Sequence, residues 1–143
     1  MTYRPTGAAT STSVSDNRIN NTGVTILKAT PVRFNTAGEL EFINVGIEAE
    51  TLSIAGVASA DIPTATAGNV ITSGKIANVS TIAIFGDVVW VAKSGGLTNL
   101  KPSIGIDGFV AGDFVVVVGV IAKNQDNPGN KDLVVNINLV GQL

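Results

Sequence analysis

Residues 86–92 read Gly86-Asp87-Val88-Val89-Trp90-Val91-Ala92, and residues 112–118 read Gly112-Asp113-Phe114-Val115-Val116-Val117-Val118. Each stretch starts with a Gly-Asp pair, which is typical of a turn, and continues with β-branched and aromatic residues, which favour strands. A third stretch, residues 133–140, follows the turn sequence Asn127-Pro128-Gly129-Asn130 and has polar residues at alternate positions. These stretches predict three β-strands. Residues 116–118 are apolar on both faces, so their strand is predicted to lie centrally in its sheet.

The repeated Gly-Asp pair predicts two similar turn-to-strand units, although no longer repeat can be aligned around it. We expect Asp87 and Asp113 to accept hydrogen bonds from backbone N–H groups of their turns. Trp90 stands in a Val-rich strand and is expected in the core or at the buried centre of an interface.

Further short strands separated by turns are predicted over the rest of the chain. They cover residues 23–34 with an interruption at Pro31, 40–45, 47–58, 69–72, 75–79 and 81–85. Residues 47–58 fit a strand or a short helix, and the alternation of Glu48 and Glu50 with apolar residues favours a strand with one wet face. The sequence therefore predicts an all-β fold, a small sandwich or barrel of short antiparallel strands, in residues 23–143.

Residues 1–22 differ in composition from the rest, because they are rich in Ser, Thr and Asn and have few apolar side chains. Such a segment buries too little surface to offset its ordering entropy. We predict an extended N-terminal arm that is either flexible or ordered by a partner. Its sizeable side chains, Tyr3, Arg4, Arg18 and Ile19, are the predicted partner-binding residues.

Composition excludes several classes of function. The 143 residues include no Cys and no His, so thiolate chemistry, zinc sites of the Cys/His kind and a histidine base are excluded. Nine basic residues are scattered along the chain, which argues against nucleic-acid binding. No apolar run reaches the length of a membrane span. With 14% charged residues and a mean hydropathy of +0.38, part of the surface is expected to contact other chains.

Two groups of acidic residues are candidate functional sites. Glu48 and Glu50 would share one face if they lay on a strand, at a spacing that acid–base hydrolysis can use. Asp126, Asn130 and Asp132 surround a Gly as in a calcium loop, but their spacing misses the EF-hand pattern. A type II turn at Pro128-Gly129 explains these residues without a metal. We predict no catalytic, cofactor or metal site, and a solvated face for the two glutamates.

The C-terminal two-thirds of the chain resembles the small decoration, or cement, proteins of tailed-phage capsids. The resemblance covers roughly residues 68–143, and the unit Gly86-Asp87-Val88-Val89-Trp90-Val91 is its main element. Its other elements are Ala67-Gly68, Gly74-Lys75-Ile76, Gly96-Leu97-Thr98-Asn99, Pro102-Ser103, Val117-Val118-Gly119-Val120-Ile121 and Val140-Gly141-Gln142-Leu143. It implies an outer-surface β-domain that binds the major capsid protein, clamps adjacent capsomers as a trimer or dimer, and has no catalytic activity.

We therefore expect a structural virion protein, not an enzyme, on the outer capsid surface. It would decorate and stabilise a phage capsid by bridging subunits of the major capsid protein. A homotrimer is favoured over a dimer, and no cofactor, nucleic acid or membrane is expected as a partner. The alternatives are a phage fibre or adhesin module that binds host surface glycans and, ranked last, a carboxylate-based hydrolase that uses Glu48 and Glu50.

Overall fold

A computed structural model describes residues 13–143, which form nine strands and one short helix. The elements are β1 (Val14–Ile19), β2 (Pro31–Phe34), β3 (Leu40–Phe42), α1 (Glu48–Leu52), β4 (Ile54–Ala58), β5 (Ala67–Val79), β6 (Val88–Val91), β7 (Leu97–Thr98), β8 (Phe114–Lys123) and β9 (Lys131–Gln142). All strand pairs are antiparallel and belong to one sheet with the order β3-β2-β4-β5-β9-β8-β6-β7, and β1 also pairs with β5. The predicted all-β class is confirmed.

Two apolar clusters form the core. The part of the sheet made by β1 to β5 curls, so that Asn20, just after β1, forms a bridge with Leu40 of β3. This curled part encloses the smaller cluster, which contains Ile26, Val32, Leu40, Ala55, Ala58, Ile62 and Val70. The larger cluster lies against the inner face of β5, β6, β8 and β9 and includes Val89, Val116, Leu133 and Phe109.

The two Gly-Asp units have the same hydrogen-bonded structure. In each, the glycine has a positive φ, and the Asp N–H donates to the carbonyl oxygen three residues earlier while the Asp Oδ2 accepts from the N–H of that same residue. One residue of a neighbouring segment then bridges the pair: its carbonyl accepts from the glycine N–H, and its N–H donates to the Asp carbonyl. Ile121 bridges Gly86-Asp87, and Leu143 bridges Gly112-Asp113.

The similarity extends into the strands that follow each unit. The first unit starts the β6–β8 pair and the second starts the β8–β9 pair, and each pair has a bulge after the second residue. The matched pairings are Val88↔Val120, Val89↔Gly119 and Trp90↔Val117 in the first, and Phe114↔Gln142, Val115↔Gly141 and Val116↔Leu139 in the second. The predicted pair of turn-to-strand units is therefore confirmed, and it is part of a longer structural repeat in which Gly119 and Gly141 occupy equivalent positions.

Three predictions near the middle of the chain need correction, although a short helix was the alternative for residues 47–58 and residues 54–58, 69–72 and 75–79 are strand as expected. Residues 48–52 form α1, because a window of five residues cannot separate a period of 2 from one of 3.6 and Glu, Ala and Leu favour helix. Residues 69–79 belong to one strand, because Gly74 has a φ of 127° and lets β5 continue as it changes partner from β1 to β9. Residues 81–85 form a loop in which Ala83, rather than its larger neighbours, enters the core.

The N-terminal part of the chain also differs from the prediction. Residues 23–30 form turns and the isolated bridge Ile26↔Ile62, although Pro31–Phe34 and Leu40–Phe42 do form the expected hairpin. Within the predicted arm, residues 14–19 instead form β1 and pair with β5. This strand has no buried face, so its side chains show no apolar pattern that would reveal it. Residues 1–12 of the predicted arm lie outside the described residues.

Two smaller predictions in the C-terminal part are corrected. Trp90 is half-buried rather than in the core, because Val89 and Val91 take the inward positions of β6. The turn at residues 127–130 is closed by a bond from Asn130 N–H to the Asn127 carbonyl, but Gly129 lacks the positive φ that a type II turn requires. The alternation of residues 133–138 and the central place of β8 agree with the structure, but Leu139, which was expected on the core face, is exposed next to the bulge of β9 at Val140.

Candidate binding surface

The segment between β7 and β8, residues 99–113, exposes a group of aliphatic side chains. Three of its residues, Pro102, Phe109 and Asp113, are buried and attach the segment to the body of the protein. Four others are large, aliphatic and exposed: Leu100, Ile104, Ile106 and Val110. We call residues 99–113 the aliphatic loop. Long connections in compact domains are often binding segments, and contiguous exposed apolar side chains mark interaction sites.

The aliphatic loop is held by its own backbone. Ile106 N–H donates to the Ser103 carbonyl, Phe109 N–H donates to the Ile106 carbonyl, and Gly105 N–H donates to the Phe109 carbonyl. Gly105 and Gly108 have positive φ values, and Asp107 between them does as well, at 51°. This succession of tight turns places the exposed aliphatic side chains in a defined arrangement before any partner binds.

An ion pair attaches the end of the aliphatic loop to two other segments. Lys93, in the turn after β6, donates from Nζ to Asp113 Oδ1 at 2.6 Å, and the two side chains are 29% and 3% exposed. Asp113 Oδ2 accepts the N–H of Val110, at 2.9 Å. Gly46, before α1, lies so near that a Cβ there would be 3.2 Å from Asp113 Oδ1. The pair thus joins the start of α1, the β6–β7 turn and the aliphatic loop.

The environment of Asp113 changes its acidity. Burial of the carboxyl raises its pKa, but the hydrogen bond from Lys93, the bond from the Val110 N–H and the positive charge of Lys93 together have the larger effect. The pKa of Asp113 therefore lies below its ordinary value of 3.8. The contacts of Asp113 in the folded protein favour its carboxylate form. Asp113 therefore stabilises the fold above pH 3.8, and this stabilisation is lost as the pH falls through the lower pKa of the folded state.

This linkage gives a pH-dependent prediction for Asp113→Asn, which keeps the shape of the side chain and removes its charge. We expect the wild type to exceed the variant in free energy of unfolding at pH 6, and the difference to shrink steadily below about pH 4, because only the wild-type residue takes up a proton there. Urea unfolding of both proteins at several pH values measures it. A difference that stays constant down to pH 2 would contradict the assignment.

The partner-binding residues predicted from sequence lie elsewhere, in so far as the structure describes them. Arg18 pairs with Asp16 at 2.9 Å, and its guanidinium carbon lies 5.2 Å from the centre of the Phe34 ring. Together with the exposed Ile19 it borders a shallow groove beside the β2–β3 turn. Tyr3 and Arg4 lie outside the described residues.

The acidic residues of the two candidate functional sites do not form a common site in the structure. Glu50 accepts from Arg33 at 2.9 Å and from the Asn44 N–H, so its placement on α1 contradicts the strand face that it was expected to share with Glu48. Asp132 is buried and accepts hydrogen bonds from Asn124 and from the Asn78 N–H. Within residues 13–143, no three His, Cys, Asp or Glu side chains are grouped so that they could hold a metal ion.

The aliphatic loop was missed at the sequence level. Gly and Pro separate its aliphatic residues, so they form no periodic pattern, and only the burial of Pro102 and Phe109 shows which side chains remain outside. Searches against models of protein families and against curated proteins find nothing that matches this chain. Among residues 13–143, no helix has the length and apolar character needed to cross a membrane.

Proposed function

We propose that this protein is a structural component of a tailed-phage virion. It decorates the outer capsid surface and stabilises the capsid by bridging subunits of the major capsid protein, without catalysis. The proposal joins the resemblance in residues 68–143 to one structural observation, the aliphatic loop. A loop that is held by its own turns and exposes four aliphatic side chains is suited to binding another protein surface.

The energetics of the loop support a binding role. Moving a fully exposed aliphatic side chain from water into a partner surface contributes on the order of 1.5–3 kcal/mol, and these four side chains, which are 48–61% exposed, retain part of that contribution. Because the turns of the loop already set its conformation, binding loses less conformational entropy than it would with a flexible segment. Four such side chains on one loop are therefore a plausible basis for a specific contact.

Bridging requires more than one contact on each copy. A second apolar surface is available in a shallow groove of 490 Å³ beside the β5–β6 loop, where Leu27, Ile82 and Leu97 lie together. Weak contacts at several surfaces, repeated over a symmetric capsid, raise the effective concentration and hence the total affinity. Self-association belongs to the same proposal, as does a contact of a neighbouring chain with Tyr3, Arg4, Arg18 and Ile19.

Replacing Ile104 by aspartate tests the role of the loop. We expect the apparent affinity for empty capsids of the corresponding phage, measured by co-sedimentation, to fall at least about tenfold, because a charge would enter an apolar contact. The matched control is Leu52→Asp at the end of α1, away from both proposed contacts, since Leu52 is 66% exposed and Ile104 is 61% exposed. We expect the control to bind within about twofold of the wild type.

The results of this experiment distinguish failure of the proposed loop contact from failure of the proposed capsid function. Equal loss of binding in Ile104→Asp and Leu52→Asp would show that the aliphatic loop has no special role in a contact that nevertheless exists. Absence of binding by the wild-type protein would reject the capsid function.

A further inference from the structure

The strand β9 has a free edge over its second half. Residues 131–136 lie between β5 and β8, because Leu133 pairs with Ile76 on one side and with Ile121 on the other. The pairing with β5 ends at Asn136, whereas the pairing with β8 continues to Gln142. Among residues 13–143, no strand pairs with the edge of residues 137–142 that faces away from β8, and residues 138–142 are all exposed.

Apart from the two bulges of β9 against β8, this edge lacks the features that usually prevent strands from pairing between molecules. Residues 137–142 read Ile-Asn-Leu-Val-Gly-Gln and contain neither a charged residue nor a proline. Other outer strands are better protected: β3 and β7 are three and two residues long, and β1 carries Asp16 and Arg18. Leu139 and Val140, both exposed, add apolar surface at the free edge of β9.

We infer that the free edge of β9 pairs with the same edge of a second copy of this chain. A two-fold axis perpendicular to the sheet would bring residues 137–142 of the two copies together in antiparallel orientation, the orientation of every strand pair in this fold. The uncharged sequence is compatible with itself, because no like charges meet across the axis. Leu139 and Val140 then become partly buried against the second copy.

The inference identifies a dimer contact and does not depend on the proposed function. It uses none of the residues of the aliphatic loop, and it is tested without a capsid. A two-fold contact gives a dimer, so it selects the dimer over the homotrimer favoured from the resemblance.

Two lysine substitutions at matched positions test it. Val140 and Val14 are 57% and 58% exposed, and both lie on strands with a free edge. Sedimentation equilibrium should give the wild type and Val14→Lys the mass of two 14.6 kDa chains. Val140→Lys should have the mass of one chain, because its two ammonium groups would repel each other close to the axis.

Hydrogen exchange gives a second readout on the unaltered protein. Amide exchange at those N–H groups of residues 137–142 that point away from β8 should slow at least about tenfold between dilute and concentrated wild-type protein, because pairing occupies them. A wild-type monomer or trimer, or a Val140→Lys dimer, would overturn the inference. A monomer in which the N–H groups that point away from β8 are already protected when dilute would also overturn it, because another part of the same chain would then cover the edge.

Discussion

Asp113→Ala is expected to lower the free energy of unfolding by about 3 kcal/mol at pH 7. Removing one partner of a buried ion pair leaves the other without compensation, and such changes commonly destabilise proteins by about 3–5 kcal/mol. The expected value is at the low end of that range because the Lys93 side chain is 29% exposed and can be partly hydrated. The variant also loses the acceptor for the Val110 N–H. Chemical unfolding of wild type and variant measures the difference.

The structural repeat provides a matched control for Asp113. Asp87 holds the same place in the first unit and accepts the Ile84 N–H in the same way, but within the described residues it has no lysine partner. Asp87→Ala should therefore cost only about 1 kcal/mol, the typical value of one such hydrogen bond. If the two variants were equally destabilised, the ion pair with Lys93 would contribute nothing beyond the turn, and its role in holding the aliphatic loop would be rejected.

Gly119→Ala is the second substitution with a large expected effect, again about 3 kcal/mol of lost stability. A Cβ at this position would overlap the carbonyl oxygen of Val134 in the adjacent strand β9. Backbone atoms cannot move aside as a flexible side chain can, so β8 and β9 would have to separate locally, and overpacking of this kind costs about 1–3 kcal/mol or more. Thermal or urea unfolding gives the measurement.

The equivalent glycine of the repeat is the control for Gly119. Gly141 pairs with β8 as Gly119 pairs with β6, yet no atom lies within 4 Å of a Cβ built there. At a protein concentration that keeps the variants monomeric, Gly141→Ala should change stability by less than about 0.5 kcal/mol. A large destabilisation by Gly141→Ala would show that the face of β9 at this position is covered within one chain.

The local sequence pattern was sufficient to predict most of the strands in the C-terminal half. Val-rich runs behind Gly-Asp pairs predicted β6 and β8, and alternation predicted the inward side of β9, because strands with a buried face must carry apolar residues at every second position. Both aspartates accept backbone N–H bonds in their turns, as expected. The hairpin of β2 and β3 was predicted by its turn residues.

Local pattern failed where a segment has no buried face or is too short. β1 is a strand because β5 offers it a hydrogen-bonding edge, and its exposed side chains carry no trace of that pairing. α1 covers little more than one turn, for which helical and strand periods are indistinguishable. The candidate site escaped prediction for a related reason. Pro102 and Phe109 differ from Ile104 and Ile106 in burial, and nothing in their order along the chain indicates which pair faces water.

The sequence alone established the all-β class, the hydrogen bonds in the turns of the two Gly-Asp units and the absence of Cys and His side chains. These properties depend only on each residue and its near neighbours. Three-dimensional packing was needed to bring Lys93 to Asp113, to leave Gly141 open where Gly119 is enclosed, and to turn aliphatic side chains outward. These features depend on which distant strands become neighbours. That choice reflects the burial of the whole core and cannot be assigned to any one segment.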